Sequence, residues 1–391
     1  MNAVHAKYAD VERIERLIRE SEFDAVIAAW PENVGYLSGF YHPDMRVNWE
    51  RLHIVVWPSD GAPAFVVPQL RADLWNGGDS AGFILAEDNR PFITEIRGFE
   101  GEHLDMVRVV ADVLTDRGIT TGHLAVESRS LPLKVSAELT RLLPGLVQSD
   151  GWPLLNKLRQ VKTAAELDVM IRANRLTADL LEDALRAARP GQTEREIGAR
   201  LAADLYAHGA QELSHSILGV GPRAASWHPW PTGLKLTAGM LIRSDWGIRM
   251  DGYTSDIARN AVVGRASAEQ RDTFARLSDA HDHVVSAVRP GVVASDLAAL
   301  ARREYARVGL EFRWGLVGHG IGLVIHEEPQ LLLDVHDPIV EGMTMEIELG
   351  YFGDAGGYHI EDLVHVTANG AVNLTKLEPV RKLIESGPSP R

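Results

Sequence analysis

Cysteine is absent from the 391-residue chain. Disulfides and thiolate metal ligands are therefore excluded, and any metal must sit on oxygen and imidazole. No apolar run is long enough to cross a bilayer. The opening stretch, MNAVHAKYADVERIERLIRE, lacks the apolar core of a signal peptide. The expectation is a cytoplasmic protein with no membrane partner. Basic charge is also in short supply, with 40 Lys and Arg against 54 Asp and Glu and a formal net charge of −14. No basic stripe of the kind that follows phosphates is present, so nucleic acid is not an expected partner. The rest of the composition, 45% hydrophobic and 24% charged, is that of a globular protein with real cores. The length suits two domains, and the acidic surplus leaves room for a carboxylate cluster that holds cations.

The first third reads as an α/β layer domain. Val11, Ile14, Leu17 and Ile18 have helical spacing, and FDAVIAAW reads as a strand. LHIVVWP and APAFVVPQ predict a hairpin through Ser59, Asp60 and Gly61. GHLAVE is a further strand between helical patterns near 103–117 and 131–142. Arg46 and Arg51 are the candidate pocket residues of this domain. Residues near 150–160 read as a linker, so the expected domains are 1–155 and 156–391. Thr163 and Glu166 then form a capping box before a long amphipathic helix over about 164–188.

From there the chain nearly repeats. RPGQTEREIGARLAADLYAHGA begins at Arg189, and RPGVVASDLAALARREYARVGL begins at Arg289. GMLIRSDWGIRMDGYTSDIARNAVV begins at Gly239, and GMTMEIELGYFGDAGGYHIEDLVHVT begins at Gly342. Superposing the copies sets Asp245 on Glu348 and Asp256 on Glu361. The reading is one pseudo-symmetric domain made of two α-β halves.

In the first hairpin, a turn over Arg249–Gly252 centred between Met250 and Asp251 predicts that Asp245 lies directly opposite Asp256, with Glu348 opposite Glu361 in the second. Like charges in such pairs are destabilising, and aspartate is a poor strand former. The flanking residues are largely apolar, so the acids hold a cation rather than face open water. Burying four unpaired carboxylates costs far more than a domain's stability of roughly 5–15 kcal/mol; two divalent ions balance them. The stretch HGIGLVIHEEP supplies His319 as the nitrogen ligand, its glycines letting the backbone come close. Glu346, on the same strand face, is the rival to Glu348, which the repeat favours.

SDWGIRMDGYTSDIARN, GHGIGLVIHEEP, GMTMEIELGYF and GGYHIEDLVHVT resemble the signature segments of the creatinase, prolidase and aminopeptidase P superfamily. The resemblance covers the whole C-terminal domain, and it implies the pita-bread fold, α+β with an internal pseudo-twofold repeat, behind a prolidase-like α/β N-terminal domain. It places the family's metal ligands on Asp245, Asp256, His319, Glu348 and Glu361. It also implies a loop histidine at His228, and at His326 a second histidine that hydrogen-bonds substrate or the tetrahedral intermediate without binding metal. Three positions depart from the pattern. Leu349 stands where proline is usual, Glu346 where a small residue is usual, and His359 where an arginine is usual. The last removes a carboxylate clamp and makes His359, with Arg46 and Arg51, a candidate substrate contact.

The implied chemistry is amide hydrolysis at a centre of two divalent ions, Mn²⁺, Co²⁺ or Zn²⁺, with Glu348 taking a proton from water and His228 and His326 donating hydrogen bonds. An Xaa-Pro dipeptidase or aminopeptidase P-like peptidase is the leading function, acting on a small peptide. A small-molecule hydrolase or lyase on the same scaffold, with a creatine-, ectoine- or sulfonium-like substrate, is the alternative that His359 and Leu349 keep open. A non-catalytic binding protein is disfavoured because every ligand type is kept. The resemblance also implies a homodimer.

Overall fold

The computed structural model describes residues 8–47, 52–77, 90–353, 356–375 and 382–387. They form two compact units, Met1–Arg159 and Gln160–Arg391.

In the first unit the order is α1 (Val11–Arg19), β1 (Ala25–Ala28), α2 (Pro31–Ser38), β2 (Ile54–Pro58), β3 (Ala64–Pro68), α3 (Gln69–Trp75), β4 (Glu95–Phe99), α4 (His103–Asp116), β5 (Thr121–Val126), α5 (Leu133–Leu142), β6 (Gly145–Asp150) and α6 (Trp152–Gln160). The strands form one mixed sheet, β4-β3-β2-β1-β5-β6. Strands β2 and β3 make the expected hairpin, with Val55 opposite Phe65. Apolar residues of the sheet, such as Ile27, Val56 and Leu124, pack against Met106, Val110 and Leu114 of α4 and Leu139 of α5. The stretch read as a linker is instead the helix α6. Asp150 accepts a hydrogen bond from the Trp152 amide at its start, and Leu155 and Leu158 bury its apolar side. Pro153 does not break it, because proline is well placed in a first turn. The expected boundary at 155/156 falls inside this helix.

The second unit contains α7 (Ala164–Ala187), α8 (Glu194–Ala207), β7 (Glu212–Val220), β8 (Leu241–Met250), β9 (Tyr253–Thr254), β10 (Ile257–Val262), α9 (Ala268–Ala287), α10 (Ala294–Arg307), β11 (Gly318–Gly320), β12 (Glu327–Gln330), β13 (Thr344–Gly353), β14 (Gly356–Thr367), β15 (Gly370–Asn373) and β16 (Ile384–Glu385). The Thr163–Glu166 capping box is formed at the start of α7. The repeat is real in three dimensions. A long helix, a tight Arg-Pro-Gly turn and a shorter helix open each half; Gly191 and Gly291 take φ of 89° and 87°, a left-handed conformation that favours glycine. Each half then builds a sheet, β16-β10-β8-β7 and β12-β11-β13-β14-β15, the first completed at its edge by β16 from beyond the second half.

Each sheet has its own helical cover. Leu181 and Leu185 of α7 and Leu201 and Leu205 of α8 pack with Leu218, Ile242 and Ile248. Leu277 and Val284 of α9 and Leu297 and Ala301 of α10 pack with Ile347, Leu349 and Ile360. The two sheets join through β10 and β14. Asn260 Oδ1 accepts from the His359 amide at 2.7 Å, and Arg259 Nη1 donates to the Glu361 carbonyl at 2.7 Å. Among the described residues, no helix is long and apolar enough to cross a membrane.

Candidate metal centre

The second acidic hairpin has the predicted register, with Glu348 directly opposite Glu361. The first does not. Asp245 pairs with Ala258, and the strands close through Met250 opposite Tyr253. The turn is Asp251-Gly252, both with positive φ, 49° and 87°. This is the Asp-Gly pair that a two-residue hairpin turn selects, and centring the turn one residue early misplaced the register. Asp256 therefore lies diagonal to Asp245, just before β10. Because strand side chains alternate, the two still share a face.

A histidine that the sequence reading passed over confirms the shared face. His215 Nε2 lies 2.7 Å from Asp245 Oδ1 and 3.1 Å from Asp256 Oδ1. It reaches them from β7, which pairs with β8 through a register shift between Leu213 and His215 that sets His215 opposite Gly247. A Cβ on Gly247 would come within 2.5 Å of His215 Cε1, so the glycine makes room for the ring.

His319, on β11, turns Nε2 to the other carboxylates: 3.7 Å from Asp256 Oδ2, 3.7 Å from Glu361 Oε1 and 3.9 Å from Glu348 Oε1. Its Nδ1 faces the Gly320 carbonyl at 3.0 Å. That bond keeps the proton on Nδ1 and leaves Nε2 as a donor of electrons. Gly318, at φ 151°, lets the strand pass so close to β13 that any Cβ would strike the Glu346 carbonyl.

Four overlapping groups of side chains bring donor atoms within 4.8 Å of one another: Asp256, His319 and His326; His215, Asp245 and Asp256; Asp245, His359 and Glu361; and His319, Glu348 and Glu361. Glu361 Oε2 and His359 Nδ1 are buried and have no hydrogen-bond partner among the described residues. Orphaned buried acceptors are costly. Burial opposes charge on His215, yet Asp256 and Asp245 outweigh it and push the imidazole up to about 10. Burial, then Asp256 and Glu348, raise Glu361 well above the usual carboxylate range. The cluster carries more negative charge than its protein partners balance. A divalent cation fits this set of oxygen and imidazole donors.

The other expected site residues fall in different places. His359 is 1% exposed. Its Nε2 is 2.9 Å from Glu348 Oε2 and its Nδ1 is 3.8 Å from Asp245 Oδ2, so it faces the carboxylates. His326 is exposed, with its ring 4.2 Å from that of His319. Glu346 is paired in register with Leu363 on one side and His319 on the other, and both its oxygens are buried without a partner among the described residues; burial and Asp256 raise its pKa well above the usual range. Arg46 belongs to the first unit, where its Nε pairs with Glu32 Oε1 at 3.1 Å. Arg51 lies outside the described residues.

His228 is exposed on the loop after β7. Its neighbour Trp227, 65% exposed, contacts Trp314 at 4.5 Å between centroids. Trp314 in turn contacts Phe352 and His359, forming an aromatic wall that leads to the carboxylates. Fully buried Glu194 holds both ends of this loop. It accepts from the Val220 amide at 3.0 Å, the Thr232 amide at 2.8 Å and the Thr232 hydroxyl at 2.6 Å. Glu194→Ala is expected to loosen the loop and lower kcat/KM by about 10-fold or more, as a misplaced catalytic group does, with metal content unchanged. Kinetics beside elemental analysis check this.

The profile of metallopeptidase family M24 matches residues 168–368, and that of the creatinase/prolidase N-terminal domain matches residues 11–161. The chain belongs to metallopeptidase family M24. This M24 chain is a metal-dependent peptide hydrolase. It is similar to the probable dipeptidase PepE of Mycobacterium tuberculosis, 30% identical over 361 residues and 90% of each chain. Among solved structures, it resembles the prolidase of Pyrococcus horikoshii OT3 at a TM-score of 0.79 and 25% identity, covering 95% of this chain and 99% of that one. Dipeptidase PepE of Mycobacterium ulcerans also gives a TM-score of 0.79, with 29% identity over 96% and 97% of the two chains. The M24 and creatinase/prolidase matches agree with the fold class and the superfamily expected from the sequence.

Proposed function

We propose that this chain is an Xaa-Pro peptidase of the dipeptidase or aminopeptidase P kind, with two divalent ions held by Asp245, Asp256, His319, Glu348 and Glu361. The observation that carries the reading is the convergence of both acidic hairpins, with His319 between them, on one buried cluster. The dipeptidase and prolidase relatives support the substrate class.

When bound, the ions supply Lewis acidity and make water a nucleophile near neutral pH. The chain supplies the rest. Glu348 accepts the proton released by water and is steadied by His359, 2.9 Å away. His326 stands at the exposed rim beside His319, where its N–H can donate to an oxyanion forming on the scissile carbonyl. His228 offers a second donor from the loop, and the Trp227–Trp314 wall fits an apolar ring such as proline. Substrate enters as a small peptide.

His359 also favours a second reading. It stands where the family resemblance implies an arginine, whose fork would hold a carboxylate bidentately, and it is engaged with Glu348. A dipeptide's free carboxylate is then weakly held, which leaves a non-peptide amide as the alternative substrate. The test is a panel on metal-replete protein of one Xaa-Pro dipeptide, one Xaa-Pro-Yaa tripeptide and a set of small amides. We expect the tripeptide to be cleaved with the higher kcat/KM. A wide preference for the dipeptide would remove His359 as the specificity determinant. Cleavage of a small amide with neither peptide turned over would overturn the Xaa-Pro assignment.

A further inference from the structure

We infer that His215 is a sixth protein ligand of the centre, binding the cation held between Asp245 and Asp256. The inference rests on the proposed metal centre and concerns a residue outside the ligand set that the resemblance supplies.

The fold sets His215 in the place that His319 occupies in the other half. In each half a short helix, α8 or α10, leads to a strand that pairs with the first strand of the acidic hairpin. That strand is β7 beside β8 in the first half and β11 beside β13 in the second. Each of the two carries one histidine on the face of the acids. Each histidine is held by its Nδ1, His215 by the Ser214 hydroxyl at 3.1 Å and His319 by the Gly320 carbonyl at 3.0 Å. Each turns Nε2 inward. Ligating histidines carry their second N–H to such an oxygen acceptor. The two donor sets are then alike: His215 with Asp245 and Asp256, and His319 with Glu348 and Glu361.

The distances fit ligation. Atoms bound side by side on one ion, each at about 2.0–2.2 Å, stand about 3 Å apart. His215 Nε2 stands 2.7 Å and 3.1 Å from the two aspartate oxygens. The second observation is independent of those contacts: Glu361 Oε2 and His359 Nδ1 are buried and have no partner among the described residues, and their residues form a further donor group with Asp245. With His215 each position has an imidazole of its own, where the five-residue set supplies one nitrogen to the pair. That favours Zn²⁺ or Co²⁺ over Mn²⁺ more than carboxylates alone would.

The experiment is calorimetric titration of the metal-free full-length protein with Zn²⁺, for wild type, His215→Ala, His215→Gln and His319→Ala. Wild type is expected to bind two ions. His215→Ala is expected to bind one with unchanged affinity and the other at least about 10-fold more weakly. His215→Gln keeps a hydrogen-bond donor but is a poor ligand, so it is expected to behave as His215→Ala does. X-ray absorption of the Co²⁺-loaded protein is expected to show less imidazole scattering in both His215 variants. Circular dichroism of the metal-free proteins verifies the fold, and His215→Gln carries the test if the alanine variant does not fold. Both ions bound at wild-type affinity in His215→Gln would overturn the inference, even with activity lost, since His215 would then only hydrogen-bond the aspartates. If His319→Ala loses an ion while the His215 variants do not, this inference fails and the proposed centre stands. If wild type binds no divalent ion, both fail.

Discussion

Asp256→Asn is expected to lower the bound divalent metal and to reduce kcat/KM by about 10³-fold or more, the scale on which a hydrolase loses its metal-activated water. Asp256 lies between the histidines of the two halves. It stands 3.1 Å from His215 Nε2 through one oxygen and 3.7 Å from His319 Nε2 through the other. Asparagine keeps the shape and one acceptor but removes the charge and one of the two donor oxygens. Either ion position then has one donor fewer, and hard and borderline cations lose most when a carboxylate becomes an amide. Elemental analysis of protein purified without chelator, together with peptide hydrolysis, measures both effects. An unmodified protein that carries no metal and keeps full activity in chelator would sink the idea, and so would an Asp256→Asn protein with full metal content and full turnover.

His326→Ala is expected to keep its metal and lose roughly 10²-fold in kcat, the usual cost of removing a positioned hydrogen-bond donor from a developing oxyanion. His319→Ala, seven positions earlier in the chain, is expected to lose metal instead. The two rings nearly touch, but their settings differ. His319 is buried at 1% exposure and its Nδ1 is tied to a backbone carbonyl, which aims Nε2 at three carboxylates. His326 is exposed, beside the glycine-rich strand end, where a substrate carbonyl has access. Its donor also lies within 4.8 Å of the Asp256 and His319 donors, so ligation is the rival role. Equal metal loss in the two alanine variants would assign His326 to the metal and leave the oxyanion to His228. Retained metal with unchanged kcat would remove it from the chemistry.

The repeat of the second unit and the acidic residues of its two hairpins were legible in the sequence, because local patterns set them, and the resemblance supplied the fold class. Capping boxes, helical spacing and matched Arg-Pro-Gly turns marked the repeat, and the pairing of Glu348 with Glu361 follows from one uninterrupted hairpin. Other features needed the tertiary structure. The Asp245–Asp256 register turned on which two residues of Arg-Met-Asp-Gly adopt positive φ. Asp-Gly was the available signal, and a one-residue shift in the centre of the turn moves every pairing. The linker near residue 155 became α6 because Leu155 and Leu158 find buried partners, which composition does not reveal.

His215 shows the limit most clearly. Nothing in ELSHSILGV marks it as a site residue. It reaches the aspartates because β7 lies beside β8, because the register shifts before it, and because Gly247 leaves space for its ring. The only advance signal was the repeat itself, had the strand before each hairpin been compared for a histidine. His359 makes the same point from the other side. Its replacement of an arginine was readable, but only the joining of β10 to β14 through Asn260 decided that its ring is buried against Glu348 rather than left at the surface. Sequence determined which residues carry charge, and the hairpin that sets Glu348 on Glu361. The packing of one half against the other decided which of the remaining groups share a single buried volume, because contacts between distant segments depend on sheet order and register rather than on spacing along the chain.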